Sequence, residues 1–173
     1  MTPARPVHNV RDFDSPASTT AGIQEAINAL PATGGCVYLP PGHYPLRRSV
    51  ELRSGVTLRG EGPSTILTRP KEIVTRVMQP TDGSRTTIRI HSARGLCVGD
   101  EVFVGDDENY GWWTTHAIIT AIRKDTLGLK ILHGERKYRY LPKRHARLTN
   151  WFPALWLREL KDVSILNLAI QGP

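Results

Sequence analysis

The chain has 173 residues, 39% of them hydrophobic, enough for a core without staples, since folding at this size hides about 70% of the unfolded chain's surface. Lys and Arg number 23 against 16 Asp and Glu, and the resulting +7 at pH 7 favours an anionic partner. Two cysteines, Cys36 and Cys97, exclude a disulfide framework, no run nears the ~20 apolar residues of a membrane span, and the opening MTPARPVHNVRDFDSP lacks a signal-peptide-like apolar stretch.

The first predicted element is a helix over residues 19–30, TTAGIQEAINAL. Ile23, Ala26, Ile27 and Leu30 fall at i, i+3, i+4 and i+7, one face of a helix. Thr19 or Thr20 is placed to cap it, and Pro31 to stop it. Short extended runs follow: CVYL, HYPL, SVEL, GVTLRG and TILTR, each bounded by Gly, Pro or Ser. Cys36, inside the first run, reads as a small buried thiol.

A second series of this kind occurs near the C-terminus, ALWLRELKDVSILNLAIQGP. Its stretch Trp156–Ile165 echoes Glu51–Leu58 once two residues are inserted before the Gly55/Asp162 position. Short strands with recurring corners predict coils of a solenoid. The fold class is therefore mainly all-β, the start of a right-handed parallel β-helix, with the N-terminal helix capping the first coil's open end. An antiparallel sandwich is the alternative.

Residues 71–150 depart from this pattern. TTIRIH, DEVFVGD, THAIITAI and TLGLKIL are longer alternating runs, and AIRKDTLGL reads as a hairpin turning at Lys124-Asp125. They predict an inserted antiparallel β domain of about four to six strands. The expected organisation is a cap and first coils over 9–70, the insertion over 71–150, and a return to the β-helix over 151–173.

NVRDF (9–13), AGIQEAINAL (21–30), GGCVYLPPGHY (34–44) and SGVTLRGEG (54–62) follow one another in the order seen in pectate-lyase-like β-helix proteins. The chain resembles the N-terminal segment of that superfamily, which includes polygalacturonases, related lyases and phage tailspikes. VSILNLAIQG (163–172) is similar to one of its later coils, and the middle domain, with VGDEVFVGD and YGWW, resembles an insertion of bacterial members. DSPASTT stands where the family has a Gly- and Asp-rich stretch. Members continue for many more coils that carry catalytic carboxylates, or a calcium site and a basic residue. The resemblance thus implies the start of a longer polysaccharide lyase or glycoside hydrolase, inactive by itself. It also implies a secreted or surface protein, with calcium as the cofactor that such a lineage would bring.

Direct motifs for catalysis are missing: GxxxxGK[ST], HExxH and GxSxG do not occur, and GEGPST reads as a corner turn. His43, His91, His116, His133 and His145 lack ligand spacing, so no metal or catalytic residue is assigned. Two stretches are candidates for binding. GDDENYGWW sets Asp106 and Asp107 beside Tyr110, Trp112 and Trp113, carboxylates next to aromatic faces that suit a sugar ring or a calcium ion. Lys130–Arg147, KILHGERKYRYLPKRHAR, interleaves Tyr138 and Tyr140 with seven basic residues, among them Arg139 and Arg144, a grip for a polyanion. Each also reads as an ordinary solvated charged surface.

The expected partner is an acidic polysaccharide or oligosaccharide, with nucleic acid less suited and no membrane. A non-catalytic binding or tailspike-like structural module is the alternative, forming a homo-oligomer through the last coil, where Leu166, Leu168 and Ile170 lie near an open edge.

Overall fold

The computed structural model describes residues 5–81, 86–133 and 139–172. They form two compact units: residues up to Pro70 together with those from Pro153 onward, and Lys71–Phe152.

The first unit begins with β1 (Val7–Asn9) and a 3-10 turn over Val10–Asp12. The helix α1 spans Ile23–Ala29, shorter than the apolar spacing predicts. Gly22, at φ +79, occupies the N-cap and keeps Thr19–Ala21 outside the helix, although Thr20 Oγ1 still accepts the Gln24 N–H at 3.2 Å. Leu30 is extended, as a residue preceding proline prefers, and ends the helix. The apolar face is real: Ile23, Ala26 and Ile27 are buried. Five strands follow: β2 (Gly35–Tyr38), β3 (Gly42–Pro45), β4 (Val50–Glu51), β5 (Val56–Arg59) and β6 (Thr65–Thr68). GEGPST makes a 3-10 turn over Gly62–Ser64, a corner as read from the sequence. Cys36 alternates with the buried Gly35 and Val37 and is partly rather than fully buried, because the strand's period of two turns it away from the interior.

The helix packs on β2 and β4, and two side chains fasten it there. The Arg53 guanidinium donates to the carbonyls of Ile27 (3.1 Å), Leu30 (2.6 Å) and Pro31 (3.0 Å) at the helix end, adding to the Leu30 and Gly34 N–H bonds that Ile27 and Pro31 already accept. The Gln24 side chain accepts the Glu51 N–H at 2.7 Å and donates to the Glu51 carbonyl at 3.2 Å. It thereby stands in for a missing strand beside β4.

The second unit carries β7 (Val74–Arg76), β8 (Thr87–Arg89), β9 (Glu101–Gly105), β10 (Thr115–Arg123), β11 (Thr126–His133) and β12 (Arg147–Thr149). They make one six-stranded antiparallel sheet in the order β7-β12-β9-β10-β11-β8. An isolated bridge, Val77 to Ile90, joins the two outer strands and closes the sheet into a small barrel. β10 and β11 form the hairpin that turns at Lys124-Asp125, with Lys124 in the left-handed region. Val102, Val104, Ala117, Ile119, Leu127 and Leu148 fill the interior. Asn150 clasps the neck, its Oδ1 accepting the Ile73 N–H at 2.7 Å and its Nδ2 donating to the Lys71 carbonyl at 3.2 Å.

Back in the first unit, β13 (Leu155–Trp156), β14 (Ser164–Leu166) and β15 (Ala169–Gln171) complete the chain. Every strand pair of this unit is parallel. β1, β2, β5 and β14 stack in one sheet, β3, β6 and β15 in a second, and β4 with β13 in a third. Three faces, each gaining one strand per turn, are the geometry of a parallel β-helix, and they exclude an antiparallel sandwich here. The sequence echo is a rung relationship: Glu51 lies beside Trp156, and Leu58 beside Ile165. Apolar ladders run through the coils, Val37–Leu58–Ile165 on one face and Tyr44–Leu67–Ile170 on another.

Candidate functional site

Asp106 directly follows β9 and governs the loop there. It has no exposed surface, and both carboxylate oxygens are taken. Oδ1 accepts from the Asn109 N–H (2.8 Å), the Asn109 amide (3.0 Å) and the Glu108 N–H (3.2 Å), the local pattern by which an Asp folds the next residues into a turn. Oδ2 accepts from the Leu141 N–H (3.1 Å) and from Arg144 Nε (2.9 Å). Burial by itself raises the pKa of this carboxyl, but the hydrogen bonds from Leu141, Asn109 and Arg144 outweigh it and hold it below the usual carboxylate value.

The acidic loop and the basic run, two separate binding candidates in the sequence, therefore face each other. Arg144 also pairs with Glu108 and donates to the Arg139 carbonyl at 2.6 Å. His145 Nδ1 lies 2.5 Å from one oxygen of Asp107, and Arg147 Nη2 lies 3.8 Å from the other. Asp106 and Arg144 thus order the loop through each other, while Asp107 remains half-exposed. Tyr140 is a core residue: its ring is fully buried, and its hydroxyl bonds Thr115 Oγ1 (2.7 Å) and the Trp113 carbonyl (3.0 Å). Tyr110 and Trp113 are exposed, as is Arg139. Tyr138 and the Trp112 side chain lie outside the described residues.

This donor set does not fit a calcium ion. The buried carboxylate is saturated by donors of the chain, and the neighbouring acids already face Arg144, His145 and Arg147. Among the described residues, no group of three or more His, Cys, Asp or Glu is placed to hold a metal.

Beside this knot a cleft of about 600 Å³ opens over the outer face of β7, β12 and β9. Strand register lays out its floor. Val74, Thr149 and Phe103 stand side by side across the three strands, and Arg147 lies in the next outward row beside Gly105. Tyr110, delivered by the loop that Asp106 folds, and Trp151 add aromatic walls. Trp151 meets Phe103 edge-on, with ring centroids 5.5 Å apart. The polar lining comes from Glu72, whose Oε1 accepts the Thr149 hydroxyl at 3.1 Å, and from Thr114 and Arg147.

Of the candidate binding residues, Tyr110 reaches the cleft. Phe103, Trp151, Glu72 and Thr149 escaped the sequence reading because they are far apart in the chain and meet only when β12 inserts between β7 and β9. The signal for Phe103 was present in the alternation of β9, but it did not say which neighbours would share its face.

A family described as rhamnogalacturonase A/epimerase, pectate lyase-like, matches residues 7–83. Three solved structures are similar. Tailspike gp61 of Pseudomonas phage phi297 shows 15% identity and a TM-score of 0.39, covering 95% of this chain and 34% of that one. The gp54 tailspike of Acinetobacter baumannii bacteriophage AP22, in complex with A. baumannii capsular saccharide, shows 10% and 0.41, with coverage of 96% and 29%. Tailspike gp49 of Pseudomonas phage LKA1 shows 17% and 0.32, with coverage of 88% and 27%. The chain thus spans about a third or less of the length of these structures. Among curated proteins nothing matches.

Proposed function

We propose that the chain forms the start of a carbohydrate-active protein of the pectate-lyase-like β-helix kind, in a lyase or hydrolase lineage whose substrate is an acidic polysaccharide, a reading supported by the family match over residues 7–83. Its own contribution is binding: the insertion domain holds a stretch of the polysaccharide in the cleft of β7, β12 and β9. The observation that carries this reading is the pair of exposed aromatic residues, Tyr110 and Trp151, lining one concave site with Phe103 at its floor. Aromatic faces take the apolar side of a sugar ring, while Glu72, Thr149 and Arg147 offer partners for its hydroxyl and acid groups. Glycosidic hydrolysis needs two carboxyl groups flanking one bond. Among the described residues Glu72 is the one carboxylate lining this cleft, which favours binding over cleavage.

Titration of the chain with oligosaccharides, followed by calorimetry, tests the reading. Tyr110→Ala and Trp151→Ala should each weaken binding by about fivefold, the worth of roughly 1 kcal/mol of ring contact. Affinity unaltered in both variants would overturn it.

A second reading, association of copies through the third coil, is favoured by one observation. Ile165 and Ile170 are 38% and 50% exposed, although Leu58 and Leu67, their ladder partners one coil earlier, are buried, and Leu157 and Leu166 of the same coil are 47% and 46% exposed. A concentration-dependent dimer or trimer in sedimentation would support this reading, and a monomer at all concentrations would end it.

A further inference from the structure

The row of residues next to the aromatic floor carries an unusual charge arrangement. Arg147 on β12 is directly opposite Arg76 on β7, and both side chains point outward. The bridge from Val77 to Ile90 brings His91 alongside Arg76, whose carbonyl accepts the His91 N–H at 2.8 Å. Like charges on facing strand positions are destabilising. Little on the chain relieves this pair. Among the described residues Arg76 has no ion-pair partner, and Arg147 has one, Asp107, at 3.8 Å. That carboxylate is itself shared with His145, and the Arg147 and Asp107 side chains are each about half exposed, so solvent weakens their attraction further. Arg76 is two residues from Val74 on the same strand face, and Val74 and Arg147 both line the cleft. The guanidinium pair therefore borders the aromatic site.

We infer that Arg76 and Arg147 form a carboxylate-reading pair at the edge of the cleft, which makes the site selective for a uronic acid unit over a neutral sugar. The inference rests on the reading of the cleft as a sugar site and adds its charge selectivity. A planar carboxylate matches the fork of donors that a guanidinium presents, and two such forks on neighbouring strands can share its two oxygens. Tyr110 and Trp151 hold the ring whatever its charge, and the arginines distinguish the acid. Glu72, on the far side of the same floor beside Thr149, would repel a second carboxylate there and so fix which way round the acid lies.

The experiment compares two probes, an oligomer of galacturonic acid and its methyl ester, which keeps the ring and removes the charge. At low salt the acid should bind about tenfold tighter than the ester, and the ratio should shrink as salt rises. In Arg76→Gln and Arg147→Gln the ratio should fall towards one. Equal binding of acid and ester by the unaltered chain would overturn the inference and leave the sugar site standing. A ratio that persists in both variants would also overturn it. Binding of neither probe would remove the sugar site and the inference together. A single-stranded oligonucleotide that competes as well as the oligouronate would assign the arginines to phosphate instead.

Discussion

Gly34 and Gly55 occupy the same corner on successive coils, and a methyl group on Gly34 would stand 2.1 Å from the Gly55 carbonyl oxygen. Both residues have positive φ, +87 and +78, and the corner is continued by Asp162 at +55. The coils can rise by one strand spacing only if their corners nest this closely.

Gly34→Ala should therefore cost about 2–4 kcal/mol, combining the left-handed backbone with a clash against a carbonyl that cannot move alone. Asp162→Gly, at the same corner one coil later, should have the opposite sign and add about 0.5 kcal/mol, because glycine adopts that conformation without strain. Urea unfolding of the two variants measures both. A neutral Gly34→Ala would mean that the corner is not a tight stack.

Arg53 supplies donors to three carbonyls at the end of α1, so Arg53→Ala should destabilise the first unit by about 2 kcal/mol. Arg53→Lys should recover less than half of this, since an ammonium cannot reproduce the planar fork. Amide hydrogen exchange along Ile23–Ala29 is the readout, with α1 opening first in the alanine variant.

Asp106 gives the barrel an acid-sensitive element. Its pKa in the folded protein lies below the ordinary value of about 3.8, so its contribution is complete above that value and is lost as pH falls through the lower folded value. Asp106→Asn should cost roughly 2–3 kcal/mol at neutral pH by leaving Arg144 without its buried partner. It should also flatten the loss of stability below about pH 4. Unfolding curves at several pH values would show parallel acid limbs in the two proteins if this account were wrong.

Tyr140 lies in the basic run yet serves the barrel interior. Tyr140→Phe should lower stability by about 1–2 kcal/mol, since the Thr115 hydroxyl and the Trp113 carbonyl each lose the bond to the tyrosine hydroxyl. Oligosaccharide affinity should stay within about twofold, in contrast to Tyr110→Ala and Trp151→Ala. A large fall in affinity would return Tyr140 to the binding surface.

Much of the β-helix could be read in one dimension. Its strands recur between Gly, Pro and Ser, and each rung repeats residue types near in sequence, so Leu58 and Ile165 could be aligned before their contact was seen. The extent of α1 was less legible, because the apolar spacing carries no sign of the left-handed turn that Gly22 imposes. In the middle unit, alternation disclosed four strands and the hairpin at Lys124-Asp125, while β7 and β12 did not stand out as alternating runs of the kind that TTIRIH offers for β8.

Charge was the least legible feature. Composition announced an excess of positive charge, and local clustering singled out Asp106, Tyr140 and Arg144 as surface contacts. A one-dimensional pattern cannot tell a side chain that meets solvent from one that meets its counter-ion across a loop. Strand pairing decided that: β12 beside β9 turned Arg144 inward onto Asp106, and β12 beside β7 set Arg147 against Arg76 at the edge of an aromatic cleft. Period and punctuation are properties of neighbours along the chain, so the sequence carries them whole. A site is a property of neighbours in space, and the antiparallel closure of the barrel chose those.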